Sequence, residues 1–225
     1  EAMEYLLNGY GGTLTAAPPI EQKEKAFNLP EKNDNMRRVY AYLLSRRGIS
    51  RDVINAFARK QMIYESLPHH NAVFVGYDTN GVARHAHKRG TGSQSTYKGN
   101  ADGSLPEYSF HWNGTSNRVF LFEAPIDMLS YITMNPNGWQ QNTYAASCSV
   151  ADRVLFQCLK DNPNLTDVYL CFDSDAAGQS AAKRISDKLF TQGYKSEILV
   201  PTKKDWNEDL IMQKEGEQAW TEQSY

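Results

Sequence analysis

Several absences narrow the field before any motif is read. No apolar run approaches the ~20 residues that a membrane helix needs, and the first residues do not resemble a signal peptide. Cysteine is scarce. Cys148, Cys158 and Cys171 form an odd set with no Cys-x-x-Cys spacing, which argues against a disulfide framework and points to a reducing, cytoplasmic setting. An excess of one charge is missing too: 24 basic against 26 acidic residues leave a net −2. That is not the footprint of a protein that coats DNA by bulk charge, so any nucleic acid must be met by a local patch. There is no Walker-type loop, no Ser/His/Asp set, no repeat and no low-complexity tract. The chain starts at Glu1 rather than Met, so a fragment or a processed form is expected.

What is present is enough for one large or two small domains: 225 residues, 40% of them hydrophobic. The organising stretch runs from Val119 to Gly178. It opens with Val119-Phe120-Leu121-Phe122-Glu123 and closes with Val168-Tyr169-Leu170-Cys171-Phe172-Asp173-Ser174-Asp175-Ala176-Ala177-Gly178. In each, a short run of β-branched and aromatic residues leads into carboxylates and then a helical pattern. These are βα units of a mostly parallel sheet, and such sheets bind ligands beyond the carboxyl ends of their strands. Glu123, Asp173 and Asp175 fall at those ends. Two like charges at ~4 Å repel by about 4 kcal/mol at an effective dielectric of ~20. A divalent cation relieves this, and carboxylate oxygens are the hard ligands that Mg²⁺ prefers. Asp173 and Asp175, two residues apart, are expected to point the same way. Asp127 lies one helical turn beyond Glu123.

Phe122-Glu123-Ala124-Pro125-Ile126-Asp127, followed by Phe172-Asp173-Ser174-Asp175-Ala176-Ala177-Gly178, resembles the toprim domain of DnaG-type primases, topoisomerases, OLD-family nucleases and RecR-type repair proteins. Lys204-Asp205-Trp206-Asn207-Glu208-Asp209-Leu210 resembles that family's closing acidic motif, and the likeness covers about the last half of the chain. Within the family it is similar to primase-like toprim proteins of conjugative and other mobile elements. The resemblance implies a toprim-like Rossmannoid α/β domain over 117–225: a mostly parallel sheet flanked by helices. It implies Glu123 as general acid or base with Asp127 assisting, Asp173 and Asp175 as Mg²⁺ (or Mn²⁺) ligands with Glu123, and Asp205 as a further candidate. For Asp205, Asn207 and Asp209, plain helix capping is the alternative. One departure stands out. The family usually has Gly after the Glu, where this chain has Ala124-Pro125.

Upstream, 1–32 reads as a tail and linker: a helical stretch over Ala2–Leu7, a break at Gly9, Gly11 and Gly12, and the pair Pro18-Pro19. By resemblance the tail is the end of an upstream zinc-binding module; a loosely attached tail is the alternative. Residues 33–116 read as a smaller module of a helical pair and a β-hairpin. Asn33 or Asp34 caps a helix reaching Arg47, Gly48 ends it, and Ser50 caps a second through Lys60. The run Leu43-Leu44-Ser45-Arg46-Arg47-Gly48-Ile49-Ser50 resembles a helical pair that precedes the catalytic domain of DnaG-type primases. Asn80-Gly81 marks a hairpin between Ala72–Tyr77 and Val82–Lys88. Residues 90–106 read as a mobile loop, and Tyr108, Phe110 and Trp112 as a strand. In the second half, strands are expected at 119–123, 143–146, 167–172 and 197–200. Helices are expected after Pro125, over 150–159, over 176–190 with Ala177, Ala181, Ile185 and Leu189 inward, and over 206–213.

The best basic cluster is Arg84, Lys88, Arg89 and Lys98, joined by Lys203 and Lys204. With Tyr97 it guides a nucleic-acid strand, single-stranded DNA above all, or nucleotides toward the acids; a solvated hairpin is the alternative. The functional expectation is Mg-dependent phosphoryl or nucleotidyl transfer, primase-like, in mobile-element replication or transfer, with replication or transfer proteins as partners. An OLD-type nuclease and a non-catalytic RecR-type binding module are the rivals.

Overall fold

The computed structural model describes residues 26–148 and 152–222. The expected Ala2–Leu7 helix, the glycine break and the proline pair lie outside the described residues. The first helix, α1 (Arg37–Ala41), runs straight into a π-helical turn, Tyr42–Arg46. It does not start at Asn33 or Asp34. Its first N–H groups are taken by Asn35 Oδ1, which accepts from Arg37 at 3.1 Å, and by Glu65 Oε2, which accepts from Arg38 and Val39 at 3.0 and 3.3 Å. A carboxylate suits the positive end of a helix, but Glu65 comes from a later strand, so a local reading misplaces the start. Gly48 turns the chain at φ +67°, a left-handed backbone that glycine adopts without strain. Ser50 Oγ then accepts the Val53 N–H at 3.3 Å, and α2 (Arg51–Arg59) follows with Val53, Ile54 and Phe57 buried.

A four-stranded antiparallel sheet comes next, in order β1 (Ile63–Glu65), β2 (Ala72–Tyr77), β3 (Ala83–Arg89) and β4 (Lys98–Asn100). The hairpin lies where Asn80-Gly81 marks it. Two expectations are corrected here. The 90–106 segment is not all loop, because Lys98–Asn100 pairs with β3 through Arg89↔Lys98 and His87↔Asn100. Tyr108, Phe110 and Trp112 do not form one strand: a 3-10 turn spans Pro106–Tyr108 and only His111–Trp112 (β5) is extended. Gly76 explains the strap between them. A Cβ there would run into the Tyr108 carbonyl, so β2 and the strap are in close contact.

The second sheet has the order β5-β7-β6-β8-β9, with β6 (Arg118–Phe122), β7 (Thr143–Ala146), β8 (Asp167–Cys171) and β9 (Lys195–Ile198) parallel and β5 antiparallel to β7. This is the mostly parallel α/β sheet expected, preceded by the smaller helical and β module. Pro125 opens α3 (Pro125–Met134), and α4 (Arg153–Asp161), α5 (Ala176–Thr191) and α6 (Trp206–Glu222) follow their strands. Ala177 is exposed; Gly178, Ala181, Ala182, Ile185 and Leu189 form the buried stripe of α5. The last helix runs past its expected end at Gln213.

α4 and α5 cover one face of this sheet, over Val119, Leu121, Val168 and Leu170. α3, α6 and the N-terminal helical pair cover the other, over Phe120, Phe122 and Tyr144. That second core is continuous from Val39 to Leu210. Phe57 of α2 sits 5.2 Å from Phe110, 5.1 Å from Trp112 and 5.6 Å from Trp139, centroid to centroid. Trp206 packs edge-on against Tyr131 at 5.0 Å, and its indole donates to the Cys171 carbonyl at 2.9 Å, which seats α6 on the end of β8. No helix among the described residues is long and apolar enough to cross a membrane.

Candidate functional site

β6 and β8 are neighbours, and their last residues, Phe122 and Cys171, are register partners. The chain leaves β6 toward β7 on one side and returns to β8 on the other, so the carboxyl ends of β6 and β8 flank a topological switch point, where open α/β sheets bind ligands. Glu123 stands one residue past β6 and Asp173 two residues past β8. Both line a cleft of about 590 Å³, together with Asp127 of α3 and Asp205 at the start of α6.

The acids crowd one another. Asp127 is buried, and its carboxyl is held well above the usual range by burial and then by Asp205, Asp173 and Glu123; the Asn207 backbone N–H, which donates to it, works the other way. Burial, with Glu123, Asp205 and Asp175 nearby, pushes Asp173 up to about 6, against the pull of Lys204. Asp173 Oδ1 is buried and has no hydrogen-bond partner. A buried carboxylate oxygen left unpaired is costly, and a cation is the partner that an acidic cluster lacks. Among the described residues, no three His, Cys, Asp or Glu side chains close into a ligand set; unscreened carboxylates repel. The orphaned Asp173 oxygen and the hard oxygen donors around it fit a divalent ion such as Mg²⁺ or Mn²⁺.

Local structure accounts for each acid. A Cβ at Gly178 would strike the Asp173 carbonyl, so glycine there lets α5 start directly over the acid. Gln179 Nε2 donates to that same carbonyl at 2.9 Å. Asp175 Oδ1 caps α5, accepting the Gly178 N–H at 2.8 Å. The strand ends at Cys171, so the alternation behind the expected common direction no longer applies; Asp175 stands exposed outside the cleft lining, although its charge still reaches Asp173. Asp205 both caps α6, accepting the Glu208 N–H at 2.8 Å, and lines the cleft. Asp209 instead holds the loop before α6, accepting from Thr202 and Lys203 N–H at 2.8 and 2.7 Å.

Cations line the same cleft, Lys204 beside the acids themselves. Arg89, Lys98 and Lys204 line the cleft, as does Arg47, which the sequence reading passed over. Arg84 and Lys88 do not line it, and the pleat explains the split: they share a face of β3 with Ala86, whose side chain packs on Val73 and Val75, while His87 and Arg89 face the cleft. Arg84 is instead paired with Asp78 at 2.7 Å. Lys88 lies over the exposed Tyr97 ring, 5.8 Å from its centroid. Lys203 is exposed and away from the lining. Alternation along β3 puts His87 on the face of Arg89, and there it meets Asn100 at 2.8 Å at the cleft wall; sequence reading missed Asn100 and the contact of Asn207 with Arg47. Arg47 and Asn207 carried no local signal, because their contacts cross the whole chain.

Compared with known proteins, residues 41–116 match a family described only as proteins of unknown function (DUF3991), and residues 120–210 match the family described as Toprim-like. An uncharacterized protein of Bacillus anthracis, pXO2-78, is 25% identical over 194 residues, which cover 76% of this chain and 56% of the relative; the chain thus spans little more than half of that protein's length. Among solved structures, the primase fragment of the bacteriophage T7 primase-helicase protein aligns with a TM-score of 0.57 at 19% identity, over 81% of this chain and 73% of that one. The DnaG primase catalytic domain bound to single-stranded DNA aligns with a TM-score of 0.53 at 16% identity, over 83% and 72%.

Proposed function

From the premise that residues 120–210 are a toprim-like domain, in a chain with the fold of DnaG-type primase cores, we propose Mg-dependent phosphoryl or nucleotidyl transfer on nucleic acid, primase-like and serving a mobile element. One observation carries the chemistry: the partnerless, buried Asp173 oxygen beside the Glu123 strand end, in a cleft that arginine and lysine also line. In this reading Asp173 would hold the divalent ion with Glu123 and Asp205 as further oxygen donors, and Asp175, exposed at the cap of α5, would reach it from outside the cleft lining. When bound, the ion neutralises phosphate charge and orients the attacking oxygen. Glu123 takes or returns the proton of the reacting hydroxyl. Asp127, whose carboxyl is pushed up by burial and then by its acidic neighbours, steadies the loop between β6 and α3. Arg89, Lys98 and Lys204 hold the phosphates or strand backbone, and Tyr97 offers a stacking face to a base.

The single-stranded DNA in the DnaG complex supports the choice of strand, and the pXO2 designation of the relative supports the mobile-element setting. The division into a module at 33–116 and a catalytic domain at 117–225, and a cytoplasmic location with replication or transfer partners, belong to the same proposal. Calorimetric titration of Mg²⁺ and Mn²⁺ into the native chain and the Asp173→Asn/Asp175→Asn double variant tests it. Binding that disappears in the double variant supports the reading, and ribonucleotide incorporation on a single-stranded template then separates primase from OLD-type nuclease. Equal or absent binding in both sinks it in favour of a RecR-type binding module. The Ala124-Pro125 pair, standing where the family usually has glycine, is the observation that keeps that second reading in play.

A further inference from the structure

We propose that Asn207 and Tyr42 are positioning residues that fix the Arg47 guanidinium against the acidic wall of the cleft and leave one of its edges to an anionic substrate group. The inference rests on reading the cleft as a phosphoryl-transfer site.

Arg47 leaves the π-helical turn just before Gly48, half-buried, and its guanidinium is held on two sides. Nε donates to the Tyr42 hydroxyl at 2.9 Å, and Nη1 donates to Asn207 Oδ1 at 3.0 Å. Nη2 makes no hydrogen bond among the described residues, while the side chain lines the cleft. Asn207 uses its whole amide for this. Oδ1 takes the Arg47 donor, and Nδ2 donates to the Arg47 carbonyl at 2.7 Å and to Ser130 Oγ at 2.9 Å. A flipped amide would set donor against donor, so the network settles its orientation. Through its backbone N–H, the same residue donates to Asp127. Asn207 therefore touches both walls: an acid of the toprim-like half and a cation of the helical pair. Tyr42, 3% exposed, takes a second arginine as well, Arg89 Nε at 3.4 Å.

A planar guanidinium clamped at two of its three nitrogens loses little further freedom when an anion takes the third. A pair that only locked helices together would have no reason to leave that edge open on the cleft.

The test is a double-mutant cycle on the full chain, with inorganic pyrophosphate and Mn²⁺ as the probe and calorimetry as the readout. Arg47→Ala, Tyr42→Phe and Asn207→Ala are each expected to weaken pyrophosphate binding, the last two by about five- to tenfold. In the Arg47→Ala background, Asn207→Ala is expected to have no further effect, and Tyr42→Phe only the part that runs through Arg89. A persistent Asn207→Ala effect, an undiminished Tyr42→Phe effect, or unchanged affinity in the single variants overturns the proposal. If the native chain takes no pyrophosphate, the reading of the cleft fails, and thermal unfolding of the same variants judges the clamp. Asn207→Ala and Arg47→Ala should then be clearly non-additive; strict additivity overturns the clamp too.

Discussion

The two walls of the cleft are built in different ways. The acidic wall stands on strand ends and helix starts: Glu123 after β6, Asp127 in the first turn of α3, Asp173 after β8 and Asp205 at the cap of α6. Each acid is placed by the backbone within a few residues of itself. The cationic wall is assembled by side chains that come from far apart. Arg47 is placed by Asn207, which lies 160 residues further along the chain, and Lys98 is placed by the pairing of β4 with β3. The acidic wall concentrates like charge around an orphaned oxygen, so it is unfavourable for the isolated fold. The two arginines of the cationic wall, Arg47 and Arg89, are tied into hydrogen bonds with Tyr42, and Arg47 with Asn207 as well. On the reading proposed above, acids that are destabilising unless filled, in a cleft with arginines already held, suit a ligand that brings both a cation and phosphates.

The contrast is tested most severely at Asp173. Asp173→Asn should lower phosphoryl-transfer turnover by a factor of about 10²–10³ in a single-strand-templated incorporation assay. At pH 7 without divalent ions, the same variant should unfold about 1 kcal/mol less easily than the native chain, because it removes a crowded charge. A loss of both activity and stability would mean that the acid is structural.

Next in size is Phe57→Ala. Phe57 joins the helical pair to Phe110, Trp112 and Trp139, and truncating a buried phenylalanine costs about 3–5 kcal/mol. Urea unfolding should remain a single transition at a lower midpoint. Two separate transitions would show that the walls do not share one core.

The third expectation concerns acid. Burial, with His87 and His111 nearby, holds His85 down from 6.5 to about 4, and both of its ring nitrogens lack partners. Burial lowers His87 and His111 as well. At these histidines the unfolded chain thus binds protons that the fold refuses, so their contribution to stability is full above about pH 6.5 and is lost as pH falls toward 4, while the raised carboxyls of Asp127 and Asp173 act in the opposite direction. His85 alone accounts for about 3 kcal/mol of that loss. His85→Leu should flatten the melting temperature between those limits, and an unchanged slope would count against this.

The smallest effect separates the basic residues from one another. Arg89→Ala or Lys98→Ala should reduce the salt slope of single-strand binding by about 1, whereas Arg84→Ala and Lys88→Ala should leave it unchanged. Equal effects would mean that the strand runs over the outer face of β3 rather than through the cleft.

What was legible in the sequence follows from the same contrast. The apolar runs ending in Glu123 and Asp173, the proline at the start of α3, the Asn80-Gly81 turn and the Ser50 cap are local signals, and the structure shows those elements. The start of α1 was misplaced because its cap, Glu65, is not local. β4 was read as loop because Lys98-Gly99-Asn100 has no strand character until β3 supplies partners. The use of Asp175 as the cap of α5 was not read, because strand alternation was carried past the point where the strand stops.

The order of carboxylates along the chain was thus decided by sequence alone, since βα units put residues that follow apolar runs at strand ends whatever surrounds them. Which acids converge, which cations face them and which histidines are buried was decided only by tertiary structure. Register between β6 and β8, the seating of α6 by Trp206 and the clamp on Arg47 are long-range contacts, and their partners become neighbours only when the shared core closes.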